Sequence, residues 1–346
     1  MVLVDVVMPV FNTEATIASS VRSILEQTIA DLRLIVVDDG STDHTPKILR
    51  ELASADRRLI VVTTANRGVV DALNTGLEHC RAKYMARHDG DDIAFPDRLA
   101  RQVAYLDKHS DCTAVSCTAW HIDAQGRRIG TTGSGGDAVG NPHAVPAGEP
   151  YLMHPFLLAR LDAVRAVGGY RHVLHAEDSD LYWRLEAIGR LHVLDERLGE
   201  YRIHAGGVTS GSAQNVRATA VFSQLAALSA RRRALAAADI AFSPSLAREV
   251  RESPSLARMI ELASEGLDDG ERRYLEVAAA AKMLQLRVYR RFRFSLADLQ
   301  TMAKLLSRHF ALIPPRDRKI LLTTPFWYFY KPRACLNWVA SAFTAG

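Results

Sequence analysis

The chain has 346 residues, 48% of them hydrophobic and 24% charged, with a formal net charge of +4. Such a length suits one large domain with an appendage, or two domains, and the balance is that of a folded globular protein. Weak basicity favours anionic partners such as phosphates or acidic lipid, while the lack of any nucleic-acid-binding fingerprint sets nucleic acid aside.

The first segment, "LVDVVMPV", is a β-branched run that reads as a buried strand; Asp5 inside it, and no basic lead-in before it, argue against a signal peptide. "TEATIASSVRSILEQT" places Ile17, Val21 and Ile24 on one helical face. The alternation continues with "LRLIVV" as strand, "TPKILRELAS" as helix, "RLIVVTT" as strand, "VVDALNTGLEHC" as helix and "KYMARH" as strand. "PDRLARQVAYLDKH" then opens with Pro96 as a favoured first helical residue and aligns Leu99, Val103 and Leu106. Strand–helix alternation of this kind predicts an α/β fold, a mostly parallel sheet flanked by helices and joined by right-handed crossovers.

Beyond residue 111, "CTAVSCTAWHI" reads as strand with a turn at "DAQGRR". The Gly- and Pro-rich stretch from 130 to 150 reads as a surface loop, or a lid on the acceptor side, and lacks the glycine order of a phosphate-binding loop. After "YRIHAGGVTSGSA" the pattern turns helical, with Val277, Ala281, Leu284 and Val288 on one stripe beside Arg287, Arg290 and Arg291. A boundary near Ser212 divides a catalytic domain, 1–212, from a helical C-terminal region, 213–346. The four cysteines form no CxxC pair or zinc-like grouping, and no apolar run reaches the ~20 residues of a membrane span. Reduced thiols and a cytoplasmic location are expected.

Acid is concentrated at two places, each directly after a strand. Asp38 and Asp39 lie in "LIVVDDGSTDHT"; Asp89, Asp91 and Asp92 lie in "YMARHDGDD". In an open parallel sheet the loops at the carboxyl ends of the strands converge on one crevice, where ligands bind. Turn chemistry alone accounts for either cluster singly, but less readily for both. Carboxylates one residue apart, with Gly90 allowing a tight backbone, suit Mn²⁺ or Mg²⁺, ions that keep positions for substrate phosphates.

The ordered series "MPVFNTEATIASSVRSILEQT", "IVVDDGSTDHT", "NRGVVDALNTG", "YMARHDGDDIAFPDRL", "HPFLLARLDAVRAVGGYR", "AEDSDLYWRL" and "YRIHAGGVTS" resembles glycosyltransferase family 2 over roughly residues 3 to 212. The resemblance implies a GT-A (A-type nucleotide-diphospho-sugar transferase, Rossmann-like) fold. It also implies an inverting, hexosyltransferase-type enzyme that uses a nucleotide-sugar, with UDP as the expected nucleotide. By the same resemblance Asp38 and Asp39 would reach the base and ribose, bordered by the Pro9–Asn12 turn and by Asn66 and Arg67. Asp89 and Asp91 match the DxD pair and Asp92 would stabilise the loop, with Gly90 among the donor contacts. Asp178 in "AEDSD" matches the catalytic base, and His204 in "YRIH" sits where many relatives place a histidine near the diphosphate and metal. Glu177 and His154 fall on the acceptor side.

Independently of the resemblance, a carboxylate at a helix start such as Asp178 also serves as a cap, and a lone histidine after a strand is commonly structural. Gly168 and Gly169 read as backbone requirements. Two departures stand out: Leu73 occupies a place where relatives often carry arginine, and no QxxRW motif follows the base, which points to one transfer per encounter. The acceptors of many relatives are glycans or lipid-linked sugars. Near the C-terminus, Trp327, Tyr328, Phe329, Tyr330 and Trp338 are interleaved with Lys331 and Arg333. That mix fits a peripheral contact with the inner membrane face, or packing within the protein or across a homodimer. The resulting expectation is a transferase of cell-surface glycan assembly. The alternatives are a silent relative acting as a scaffold and, lower, a sugar-nucleotide pyrophosphorylase, for which a basic Gly-rich loop should follow the first strand.

Overall fold

The computed structural model describes residues 2–204, 212–289, 294–313 and 318. They form two compact units. The first comprises 1–140, 150–171 and 177–204; the second draws on 141–149, 172–176 and the described residues from Ser212 onward.

In the first unit the expected alternation is present. Strand β1 (Val4–Val10) is followed by α1 (Ile17–Leu25), β2 (Leu32–Asp38), α2 (Thr45–Ala55), β3 (Leu59–Thr63), α3 (Val69–His79) and β4 (Tyr84–Arg87). β1 pairs in parallel with β2 and β4, and β2 with β3. Next come β5 (Ile93–Ala94), α4 (Arg98–Lys108), β6 (Cys112–Ile122), β7 (Arg128–Thr131), β8 (Gly136–Asp137), β9 (Leu158–Arg160), α5 (Leu161–Ala166), α6 (Glu177–Glu186) and β10 (Arg190–Arg202). The sheet runs β3-β2-β1-β4-β9-β6-β10-β5. Short β9 joins two parallel groups by antiparallel pairing with β4 and β6, so the sheet is mixed, with a parallel block at its first edge.

Alternation along β1 decides which face each residue serves. Val4, Val6 and Met8 pack with Ile17, Val21 and Ile24 of α1, whereas Val7 packs with Leu73 and Leu77 of α3 on the other face. Helices therefore cover both faces, and the strand segment tolerates almost no polar residue. Asp5 is the exception: fully buried, it pairs with Arg33 at 2.7 Å and accepts the backbone N–H groups of Arg81 and Ala82. Leu73 is fully buried in that core, so it offers no cation to a ligand. Cys80, Cys112 and Cys117 are buried free thiols, and Cys335 lies outside the described residues.

One local expectation is corrected. Pro96 is not the first residue of α4, which begins at Arg98 after Asp97; the Pro96 carbonyl instead accepts Thr28 N–H at 2.9 Å, tying this connection to the end of α1. Ile188 does not extend the buried face of Leu181 and Leu185. α6 stops at Glu186, the Ile188 N–H closes a turn onto Leu185, and the side chain is 52% exposed as the chain bends into β10.

Gly168 and Gly169 adopt φ of +83° and +67°, the left-handed turn that lets the chain leave α5. The Gly169 carbonyl, with that of Val167, accepts Arg184 Nη1, and the Tyr170 backbone is gripped on both sides by Asn74. Arg184 Nε and Nη2 bind Asp180 Oδ2 at 2.9 and 2.6 Å, and Arg171 holds the same fully buried carboxylate.

In the second unit α7 (Ala213–Ala234), α8 (Pro244–Glu252), α9 (Leu256–Ala263), α10 (Asp269–Tyr289) and α11 (Leu296–Arg308) form a helical assembly. Small residues at 278–281 of α10 are fully buried. The segment 141–149 belongs here because Gln224 Oε1 accepts Ala147 N–H at 2.7 Å, Lys282 pairs with Glu149 at 2.7 Å, and Tyr274 Oη donates to the Ala144 carbonyl. Of the expected α10 stripe, Val277, Ala281 and Leu284 are buried, while the Val288 side chain, Arg290 and Arg291 lie outside the described residues. Trp327, Tyr328, Phe329, Tyr330, Trp338, Lys331 and Arg333 lie outside them too. Among the described residues no helix is long and apolar enough to cross a membrane.

Removing one partner of a buried ion cluster leaves uncompensated charge and typically costs about 3–5 kcal/mol. Asp180→Ala, which removes the carboxylate that Arg171 and Arg184 share, is expected to lose stability of that order in urea unfolding; a change below about 1 kcal/mol would deny the cluster its structural role.

Candidate active site

The acidic loop leaves the sheet at the end of β4, and α1 fastens its backbone. Ser20 Oγ donates to the Asp89 carbonyl at 2.5 Å and Thr16 Oγ1 to the Gly90 carbonyl at 2.9 Å. Gly90 is needed for close packing: a Cβ there would lie 2.7 Å from Val10 Cγ1. A bulkier residue would push the loop off the strand edge.

The last strand crosses this loop from the other side. β5, directly after the loop, pairs antiparallel with Gly199 and Glu200 of β10. Arg202 N–H then donates to Asp92 Oδ1 at 2.7 Å, and Arg202 Nε to the Asp91 carbonyl at 2.8 Å. Two residues on, His204 Nε2 lies 2.9 Å from Asp91 Oδ2. His204 and Asp91, 113 positions apart in the chain, are thus neighbours.

Asp89, Asp91 and Asp92 can each present an oxygen within 4.8 Å of the others. Burial, then the charges of Asp89 and Asp91, push the Asp92 carboxyl well above the usual carboxylate range. Burial also raises Asp89, against the pull of Arg87. Asp92 is fully buried, and its Oδ2 has no partner. Hard carboxylate oxygens, with an imidazole beside them, are a donor set that fits Mn²⁺ or Mg²⁺, and a divalent cation would offset the repulsion among them.

Behind the loop stands a layer of buried cations that sequence reasoning passed over. Arg87 Nη2 pairs with Asp89 Oδ1 at 2.5 Å, and Arg87 is only 6% exposed. Arg98, fully buried, donates to the Arg87 carbonyl at 2.7 Å and lies 3.1 Å from His88 Nδ1. Burial, reinforced by Arg98 and Arg87, holds the His88 imidazole far below its ordinary value, so it is neutral. The available signal was Arg87 itself, a charged residue inside an otherwise apolar strand next to an acidic cluster.

At the neighbouring strand ends the two aspartates differ. Asp39 accepts Thr64 Oγ1, Arg67 N–H and Gly68 N–H at 3.2, 3.0 and 2.7 Å, and so shapes the loop before α3. Asp38 Oδ1 caps Ser41 N–H at 3.0 Å while its buried Oδ2 has no partner. Asn12, exposed with φ of +53°, accepts Thr42 N–H at 2.8 Å and so locks the turn after Pro9 to the Asp38–Thr42 loop. Asn66 and Arg67 are exposed.

Glu177 and Asp178 open α6, with Asp178 Oδ1 accepting Ser179 N–H at 2.7 Å. Burial, then the charge of Asp178, pushes the Glu177 carboxyl up to about 7. His154 is buried in a one-turn 3₁₀ helix, its Nε2 2.9 Å from Tyr170 Oη and its ring edge-on to Tyr182. Burial, then Arg87, keeps that imidazole neutral, so His154 is a packed member of the wall.

The comparisons with known proteins agree with this geometry. The family model described as Glycosyl transferase family 2 matches residues 5–168. A putative glycosyltransferase, EpsE, of Bacillus subtilis (strain 168) is 36% identical over 208 residues, covering 58% of this chain and 72% of its own. Among solved structures, the mannosyltransferase PcManGT from Pyrobaculum calidifontis, in complex with GDP-Man and Mn²⁺, aligns with a TM-score of 0.53 at 18% identity over 99% of this chain and 86% of its own. S. aureus TarS 1-349 in complex with UDP-GlcNAc aligns with a TM-score of 0.53 at 16% identity over 93% and 87%. At those identities the structural likeness establishes the fold, which is GT-A. With its acidic loop at the sheet edge and a relative of this identity and coverage, the chain belongs to glycosyltransferase family 2.

Proposed function

We propose that this glycosyltransferase moves one sugar, with inversion, from a nucleotide-diphospho-sugar to a hydroxyl acceptor during cell-surface glycan assembly, and that a divalent metal assists. The observation that carries the reading is the meeting of His204 with Asp91 over the acidic loop. A turn needs no imidazole held there, whereas a cation-binding loop makes use of one.

Asp89 and Asp91, with His204, would hold Mn²⁺ or Mg²⁺; bound there, the ion supplies positive charge to the diphosphate as it departs. Asp38, with its unpartnered oxygen, and Asp39 reach the nucleoside, and the Pro9–Asn12 turn, Asn66 and Arg67 border that pocket. UDP is the expected nucleotide. Asp178 accepts the acceptor hydroxyl's proton while that oxygen bonds to the anomeric carbon. The bond from this carbon to the phosphate oxygen breaks, and its electron pair leaves with the nucleoside diphosphate. Inversion follows because the hydroxyl enters opposite the leaving group. Glu177 and the wall containing His154 lie toward the acceptor. An acceptor that is a glycan or lipid-linked sugar, and attachment at the membrane surface, belong to the same proposal.

Calorimetric titration with UDP, GDP and dTDP, with and without Mn²⁺, is the first test. One nucleotide should bind in a metal-dependent way, and Asp91→Asn should abolish the dependence. Metal-independent binding, or none at all, would refute the role of the loop.

Asp178→Asn should lower turnover by about 10²–10⁴-fold while nucleotide affinity stays the same. A loss below about tenfold would remove Asp178 from the base role.

Glu177 supplies a pH test. A carboxyl raised to about 7 in the folded protein is most stabilising when protonated. Its contribution is complete below its unfolded value and is lost as pH rises to about 7. Glu177→Gln should therefore raise the melting temperature relative to the parent more at pH 8 than at pH 5. A difference that is constant with pH would contradict the shift.

A further inference from the structure

Among the described residues Arg87 is the one buried guanidinium that pairs directly with the acidic loop, and that pairing uses only part of it. Nη2 binds Asp89 at 2.5 Å, yet Nε and Nη1 are buried and have no partner. Leaving a charged donor buried and unpaired is costly, which makes these two nitrogens a feature in need of a ligand. The guanidinium is near enough to His154, Tyr170, Tyr182 and Glu177 to act on the proton affinity of each. Tyr182 Oη, also buried, is likewise without a partner. Arg87 therefore touches the loop that would hold the diphosphate and acts electrostatically on Glu177 and Tyr182 of α6, the helix that carries Asp178.

If the reading above is right, and this step rests on it, inversion fixes what occupies that space. The diphosphate and the attacking hydroxyl must lie on opposite faces of the anomeric carbon, so the sugar ring lies between Asp89 and Asp178.

We propose that Arg87 reads the donor sugar: Nε–H and Nη1–H, with Tyr182 Oη, hydrogen-bond oxygens of the ring being transferred, while Nη2 stays on Asp89. The oxygens are neutral ones, hydroxyl or acetamido. Asp89 and Asp92 already act on Arg87, and Glu177 and Asp178 on Tyr170 beside it, and a hexuronate would add a further negative charge to this set. Arg87 thereby joins recognition of the sugar to the position of a carboxylate on the metal side, an arrangement that a lysine cannot copy because its single ammonium lacks the fork.

The test is calorimetry in the presence of Mn²⁺ on the full chain and on Arg87→Lys, which keeps the charge beside Asp89. The probes are the nucleoside diphosphate that binds the parent, and its glucosyl, galactosyl, mannosyl and N-acetylglucosaminyl conjugates. Lysine should leave the Kd of the bare nucleotide within about twofold while weakening the best-bound conjugate by about 10-fold or more, the worth of hydrogen bonds to a charged group. Arg87→Met, with folding checked by its melting temperature, should weaken the conjugate at least as much. Equal weakening of nucleotide and conjugate would make Arg87 a loop support and overturn the proposal while leaving the proposed function standing. An unchanged conjugate affinity would also overturn it. Failure of the parent to bind any nucleotide would sink both.

Discussion

Three carboxylates whose oxygens approach within 4.8 Å repel one another, and much of the first unit serves to hold them there nonetheless. Ser20 and Thr16 clasp the loop backbone, Gly90 lets it lie against Val10, Arg202 binds Asp92 through its amide, and Arg87 pairs with Asp89. Each restraint comes from a different element: α1, β1, β10 and β4. The remaining strain is electrostatic, expressed in raised Asp89 and Asp92 carboxyls, and it makes the loop a receptor for positive charge.

The sheet is what brings those restraints together. Because β1 lies between β2 and β4, the ends of β2 and β4 open onto the same edge, with Asp38 at one and Asp89 just past the other. β10 arrives much later in the chain, yet its pairing with β6 and β5 fixes where Arg202 and His204 must fall. Recognition of the sugar by Arg87 would add a link across this edge, from the loop to the first turn of α6.

Much of this was legible in the residues. Near-continuous β-branched runs marked β1, β2 and β3, and the stripe of Ile17, Val21 and Ile24 marked α1, because burial on both sheet faces leaves little freedom in sequence. The acidic clusters were legible as well, since so dense a grouping of carboxylates has few other uses. Less legible were features set by contacts distant in sequence. Pro96 looked like a helix start, but a hydrogen bond from Thr28 holds it before one. Gly90 suggested backbone freedom, whereas the constraint is the Val10 methyl opposite it. Asp38 and Asp39 looked equivalent, and only the structure shows that Asp39 also holds the loop at 64–68. Arg98 lacked any local pattern and Arg87 offered only its place beside the acidic cluster, because a buried cation is explained by what the fold sets against it.

The proposed chemistry requires a divalent ion where the acidic loop meets the end of β10. Crystals grown with Mn²⁺ and a bound nucleoside diphosphate, measured at the manganese absorption edge, test it most directly. The expected result is an anomalous peak beside Asp91, in contact with His204 and with the diphosphate. A nucleotide bound with manganese elsewhere, or with no manganese beside the loop, would contradict it.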